Sequence, residues 1–97
     1  MVTTNLLEEL KRRMHIFHDG EDDNLKQLLS FSIAFVESKV GKFNIESDER
    51  FDRQAKELVF ERTRYAYNDA LEYFEDNFLS EILSLIIESV GDEGVEE

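Results

Sequence analysis

The sequence contains no cysteine and no proline, and only four of its 97 residues are glycine. Without cysteine, disulfide bonds and thiolate metal sites are excluded. The glycines all fall where the hydrophobic pattern stops, at Gly20, Gly41, Gly91 and Gly94. Together with the absence of proline, this distribution is typical of a helical protein with short connections.

Basic residues are also scarce. The chain has 11 Lys and Arg against 23 Asp and Glu, which gives a formal charge of −12. The last basic residue is Arg64, and ten carboxylates follow it. Because duplex DNA and anionic membranes are bound mainly through Lys and Arg, this balance argues against both as partners.

Long apolar runs are missing as well. The richest one, residues 78–90, is interrupted by Glu81 and Glu88 and is too short to span a bilayer. The N-terminus meets Glu8 and Glu9 early and lacks the basic start of a secretory signal. Eight Phe and 41% hydrophobic residues are nevertheless enough for a modest core. We expect a soluble protein made inside the cell, with one domain over residues 1–91 and a disordered acidic tail over 92–97.

The first half of the chain predicts two helices. Apolar residues at helical spacing predict a first helix over about residues 4–15, with a cap at Thr4 or Asn5 and a capping box completed by Glu8. A second stripe from Leu25 to Val40 predicts a helix that Gly41 ends. Its apolar surface is broad, which is typical of a helix that is central in a bundle or that also contacts a second subunit.

The second half predicts two more helices. Ser47 or Asp48 can cap a third helix whose apolar spacing continues to Phe74, about 27 residues and near 40 Å at the usual rise. A break at residues 76–77 then precedes a fourth helix over about 78–90, ended by Gly91. The predicted fold is therefore all-α, a compact bundle of about four helices with a long third helix.

Two polar features resemble metal sites only superficially. His15 and His18 lie three residues apart but have no third ligand at a zinc or di-iron spacing, so we interpret them as surface or capping residues. The acidic run from Asp19 to Asp23 lacks the EF-hand spacing, since Gly20 falls at position 2 of such a loop. We interpret it as a solvated cap of the second helix.

Catalysis requires a positioned acid and base or a nucleophile, and no spacing marks out such a group. Neither a glycine-rich phosphate loop nor a nucleophile elbow is present. The sequence therefore favours a protein that is not an enzyme, with no cofactor and no metal.

The most distinctive segment is residues 61–69, ERTRYAYND. Arg62 and Asp69 are two turns apart on the face that carries Tyr65, which is consistent with a charged pair that is partly buried or lies against another subunit. Arg64 and Tyr67 point elsewhere and offer a second contact surface. Surface ion pairs of Arg64 with a nearby Glu, at position 57 or 61, are an equally supported interpretation.

At these residues the chain resembles a known family. Residues 58–74, LVFERTRYAYNDALEYF, with NFLSEI at 77–82, resemble the C-terminal half of small head–tail connector proteins of tailed phages and prophages of Gram-positive bacteria. LKRRMHI at 10–16 and FVESKVG at 35–41 are similar to the opening helices of that family. The resemblance covers about residues 4–90.

The resemblance implies a structural virion subunit, made in the bacterial cytoplasm and located at the head–tail interface. Such subunits form a ring, often of about twelve copies, beneath the portal protein. The ring extends the DNA channel, lets DNA pass without specific binding and presents a platform for the next tail-side protein.

We expect subunit or partner contacts at aromatic and arginine side chains on helices with more than one marked face: Arg62, Arg64, Tyr65, Tyr67 and Asp69, with Phe31 and Phe35 as a second, apolar candidate. We also expect the acidic last third to face the DNA passage or a basic neighbour. The alternative function is that of a small acidic adaptor, or a DNA mimic that inhibits a basic partner.

Overall fold

The computed structural model describes residues 2–94, and the side chains of residues 2–90. Within that part of the chain every regular element is helical, as the sequence predicts, but there are five α-helices instead of four. They are α1 (Thr4–Met14), α2 (Asp22–Val40), α3 (Arg50–Tyr67), α4 (Phe74–Asn77) and α5 (Leu79–Gly94), with a short 3₁₀ turn at Leu71–Tyr73. None of the helices in the described region is both long and apolar enough to cross a bilayer.

Helix α1 begins at Thr4, near its predicted start, but its N-cap is neither Thr4 nor Asn5. The side chain of Thr3 accepts a hydrogen bond from the Leu6 amide at 3.1 Å, so Thr3 is the N-cap and Asn5 lies inside the helix. The helix ends where His15 adopts a left-handed conformation, with φ 59°. The Ile16 amide then donates a hydrogen bond to the Lys11 carbonyl at 2.9 Å. This bond gives a donor to a carbonyl of the last helical turn that would otherwise have none within the helix.

Helices α2 and α3 form the most extensive contact between two elements of the fold. Gly41 ends α2 as predicted, with φ 94°. The predicted cap of α3 is corrected: the helix begins at Arg50, and Glu49 is the N-cap without a side-chain hydrogen bond. Ser47 instead accepts a hydrogen bond from the Glu49 amide in the preceding turn, at 3.0 Å.

The predicted 27-residue third helix is wrong. Helix α3 has 18 residues and ends at Tyr67, because Asp69 takes a left-handed conformation with φ 59°. The Ala70 amide donates to the Tyr65 carbonyl at 2.8 Å and closes the helix end, as it does in α1. The reversal returns the chain to the core, where Phe74 is 1% exposed. A straight helix would carry Phe74 away from that core along its own axis.

The break predicted at residues 76–77 lies within α4, and the fourth predicted helix corresponds to α5. Phe78, placed at its start by the sequence, is the residue between them, and its amide donates to the Phe74 carbonyl at 2.9 Å. Helix α5 continues past Gly91 to Gly94, so the predicted stop at Gly91 is wrong. Of the predicted tail, residues 92–94 are therefore helical, and residues 95–97 lie outside the described residues.

The core is one cluster shared by all five helices. Phe74 stacks on Phe78 at 5.0 Å between ring centroids and meets Phe35 and Tyr65 edge-on at 6.1 and 5.7 Å. The molecule is elongated and flat, with principal extents of 51, 27 and 17 Å. The apolar side chains that are buried are Leu6, Leu7, Leu10, Ile16, Leu25, Leu29, Val36, Val40, Ile45, Ala55, Leu58, Val59, Phe60, Phe74, Ile82 and Leu85.

Candidate interaction surfaces

Arg62 belongs to α3, and its half-buried side chain contacts α2. Its Nη1 donates to the Oγ of buried Ser32 at 3.2 Å, and its guanidinium lies 4.5 Å from the centroid of the Phe35 ring. Burial lowers the pKa of Arg62, while the charge of Glu75 opposes that shift. Asp69 is exposed and forms no ion pair with Arg62. Within the described residues, Arg62 is thus held by α2 and not by the carboxylate that the spacing suggested.

The two tyrosines of the distinctive segment are half-buried and make contacts within the chain. The hydroxyl of Tyr67 donates to Glu21 Oε2 at 3.0 Å, and this hydrogen bond raises the pKa of Tyr67. The Tyr65 hydroxyl accepts a hydrogen bond from Asn77 at 3.0 Å, and its ring packs edge-on against Phe78. Both side chains connect α3 to other elements of the fold.

Three of the predicted contact residues are exposed. Arg64 pairs with Glu61 three residues earlier, which is one of the surface pairs that the sequence left open. Asp69 lies at the solvent-facing turn after α3, and Phe31 is 58% exposed on α2. Phe35, one turn after Phe31, is half-buried among the core aromatic rings instead.

The acidic turn before α2 holds a buried lysine that the sequence did not single out. Lys11 Nζ lies 2.7 Å from Asp22 and 3.0 Å from Asp19, and these hydrogen bonds raise its pKa. Asp22 and Asp23 do occupy the first turn of α2, but the N-cap residue Glu21 makes no side-chain cap hydrogen bond. The acidic turn therefore fixes the end of α1 against the start of α2, in place of the predicted cap.

The histidines lie in the connection between α1 and α2. His15 packs edge-on against exposed Phe17, with ring centroids 6.4 Å apart, and His18 Nδ1 accepts a hydrogen bond from the Gly20 amide at 3.3 Å. A search of the described residues finds no group of three or more His, Asp or Glu side chains arranged to hold a metal ion.

Among the described residues, α5 carries more exposed large apolar side chains than any other helix. Leu79, Leu83, Ile87 and Val90 are between 48 and 70% exposed, although they belong to the same helix as buried Ile82 and Leu85. Leu79, Leu83, half-buried Ile86 and Val90 follow a four, three, four spacing, which is the spacing of a helix-pairing seam. We call these four residues the α5 seam.

The sequence does carry a signal for the α5 seam. Residues 78–90 contain apolar side chains on more than half of the helix circumference, more than one packing face requires. Our sequence interpretation used these side chains only to place the fourth helix and did not divide them between core and surface. Only the positions of α2 and α3, which cover one side of α5, separate the buried residues from the seam.

A second surface feature is a groove of about 480 Å³ between α3 and α5. Leu58, Phe78 and Leu85 contribute apolar side chains to it. The carboxylates of Glu57 and Glu81 are also part of its lining. Glu57 is already bound by both terminal nitrogens of Arg13, which lowers the pKa of Glu57.

Comparison of the chain with models of known protein families, with curated proteins and with solved structures finds no match.

Proposed function

We propose that this protein is a structural subunit of the phage head–tail connector, which forms a ring beneath the portal and has no catalytic role. In this proposal the ring extends the DNA channel, DNA passes through it without specific binding, and its far side receives a tail-side protein. The subunit is made in the host cytoplasm and functions in the virion. The resemblance of residues 4–90 to the connector family first suggests this assignment.

The observation that carries the proposal is the exposed apolar surface of α5. An isolated soluble domain rarely leaves several large aliphatic side chains of one helix in water, because each buried aliphatic side chain contributes roughly 1.5 to 3 kcal/mol. Helix α5 leaves Leu79, Leu83, Ile87 and Val90 in water along most of its length. A subunit whose surfaces are completed by neighbours in an assembly has this property.

The position of the carboxylates also supports the proposal. Five acidic side chains between residues 69 and 81 are exposed, and of these only Glu75 pairs with a lysine, Lys39, within the described residues. A surface of this sign repels the phosphate backbone, so DNA can slide past it without being held. We therefore assign this acidic region to the channel side of the ring or to a basic neighbour.

The predicted contact residues divide into two groups under this proposal. Phe31, Arg64 and Asp69 are exposed and remain candidates for direct contacts with another subunit. The other four connect α2, α3 and α4 to one another: Arg62, Tyr65, Tyr67 and Phe35. Their replacement would affect binding of a neighbour indirectly, by changing how these helices pack.

Electron microscopy and mass measurement of the purified protein, with and without a portal protein from the same phage or prophage, test the proposal. We expect rings on the portal. A protein that stays monomeric and ignores the portal would contradict it. Binding to basic proteins that is lost at high salt, without rings, would favour the acidic adaptor instead. A ring with the acidic third on its outer wall, away from both DNA and basic neighbours, would contradict the channel assignment.

A further inference from the structure

The α5 seam has uncharged flanks. The positions beside it on the helix are Ser80, Ile82, Ile87 and Ser89, none of which carries a charge. At 100° per residue, Glu81 and Glu88 lie on the other side of α5, and Glu88 pairs there with Arg50 at 3.1 Å. Of the side chains of α5, a helix packed on the seam therefore meets apolar and hydroxyl groups and no carboxylate.

We propose that, in the free protein, the α5 seam is covered by α5 of a second copy in a symmetric antiparallel pair. A partner helix flanked by Lys or Arg would leave its charges unmatched at the contact, which costs free energy. A second copy of α5 brings uncharged flanks of its own, so no charge at the flanks of either α5 is desolvated. Self-pairing is therefore the contact that the flanks of the seam favour.

The antiparallel orientation follows from the charge at the end of α5. The C-terminal end of a helix carries a partial negative charge, and the last turns of α5 include Asp92 and Glu93. A parallel pair would place two such ends side by side. In an antiparallel pair each acidic end lies near the N-terminal end of the other α5. The backbone partial charge there is positive, and the first-turn carboxylate, Glu81, lies on the side of the helix away from the seam. In an antiparallel pair that aligns the two seams, Leu79 lies opposite the partner's Val90, and Leu83 lies opposite the partner's Ile86.

The size of the surface predicts a weak pair. The exposed side chains of α5 belong to one face of a single 16-residue helix, and the largest apolar patch of a typical monomer is roughly 300 to 600 Å². A stable protein interface buries about 800 Å² per partner. The pair is thus reversible, and assembly on a portal would exchange one cover of α5 for another. Both proposals start from the exposed face of α5. A two-fold pair is not a ring contact, however, so the test of the pair and the test of the ring have separate outcomes.

Cysteine mixing tests the pair, because the chain has no cysteine of its own. Leu79→Cys and Val90→Cys proteins are prepared separately, mixed in equal amounts and mildly oxidised. We expect mixed disulfide dimers between the two variants, in clear excess over dimers of either variant with itself. Phe17→Cys, at an 82% exposed position outside α5, measures the background of random crosslinking. Dimers of each variant with itself would overturn the orientation, and crosslinking at the background level would overturn the pair.

A matched pair of charge variants gives an independent test. Leu83 and Ser84 are adjacent exposed residues of α5, but only Leu83 belongs to the seam. By sedimentation across a concentration series, we expect Leu83→Glu to raise the dissociation constant at least about tenfold, since it places a carboxylate in the contact. Ser84→Glu adds the same charge and should leave the dissociation constant unchanged. Equal effects of the two variants, with helix content retained by circular dichroism, would overturn the inference whether or not rings form on a portal.

Discussion

Helices α3 and α5 both carry apolar side chains on more than one face, but the fold covers these faces to different extents. The chain itself covers α3: α2 packs on one side, α1 residues reach Phe60, and Tyr65 meets the aromatic cluster. Helix α5 buries Ile82 and Leu85 and leaves its second face in water. A two-faced hydrophobic pattern therefore does not distinguish a central helix from an assembly surface, and only the neighbouring elements do.

The largest expected effect comes from a direct comparison of the two kinds of apolar residue. Phe74→Ala should lower the free energy of unfolding by about 3 to 5 kcal/mol, because it leaves a cavity among the rings of Phe35, Tyr65 and Phe78. Ile87→Ala, at a 70% exposed position, should change the stability of the folded chain by less than about 0.5 kcal/mol. Urea unfolding at low protein concentration measures both. Similar losses would show that α5 is not left open by its own chain.

The second prediction concerns the arginine that the sequence assigned to a subunit contact. Arg62→Ala should lower the stability by about 1 kcal/mol, because it removes the hydrogen bond to buried Ser32 and the contact with the Phe35 ring. Arg62→Met keeps much of the packing of the side-chain stem and should lose less. Thermal unfolding of the two variants beside the parent protein measures the difference. Unchanged stability in both would return Arg62 to the set of direct contact candidates.

The sequence predicts the helical class and the limits of the first two helices well, for physical reasons. Apolar residues repeat at helical spacing through α1 and α2, and Gly41 ends α2 in a conformation that glycine adopts without strain. The same reasoning fails at the end of α3. The helical spacing continues past Tyr67 to Phe74, and the residue that takes the left-handed conformation is Asp69, which gives a weaker stop signal than glycine.

The surfaces are harder to predict from the sequence than the helices. Lys11 is buried because two carboxylates eight and eleven residues away fold back onto it, a contact that no helical spacing predicts. The α5 seam is visible as excess hydrophobicity but not as exposure, since exposure depends on which side α2 and α3 cover. Arg and Tyr are residue types common at interfaces, yet Arg62 and Tyr67 donate hydrogen bonds to Ser32 and Glu21 of their own chain.

The third prediction concerns the stability at alkaline pH, where the contacts of Lys11 and Tyr67 with carboxylates are lost. Hydrogen bonds to carboxylates raise the pKa of Lys11 above its ordinary 10.5 and that of Tyr67 above its ordinary 10.0. Both shifts favour the protonated group in the folded state. Their contribution is therefore present below those ordinary values and is lost as the pH rises through the folded-state values. We expect stability to decline with pH above about 10.

The matched control for this pH dependence is the double variant Lys11→Met with Tyr67→Phe. Its stability at neutral pH will differ from that of the parent, so the measured quantity is the slope of unfolding free energy against pH. We expect a shallower alkaline slope in the variant, by urea unfolding at a series of pH values. Parallel slopes would mean that Lys11 and Tyr67 do not cause the alkaline pH dependence of the unfolding free energy.

The smallest effect is expected at the turn that separates α3 from the α4 and α5 region. Asp69 holds φ at 59°, a conformation that costs an L-residue free energy and costs glycine none. Asp69→Gly should therefore raise the stability by about 0.5 kcal/mol, and Asp69→Ala should lower it by a similar amount. Because Asp69 is exposed, loss of a contact within the chain does not complicate the comparison. If both variants instead lose stability equally, the carboxylate itself stabilises the turn, and the conformational argument for the end of α3 is wrong.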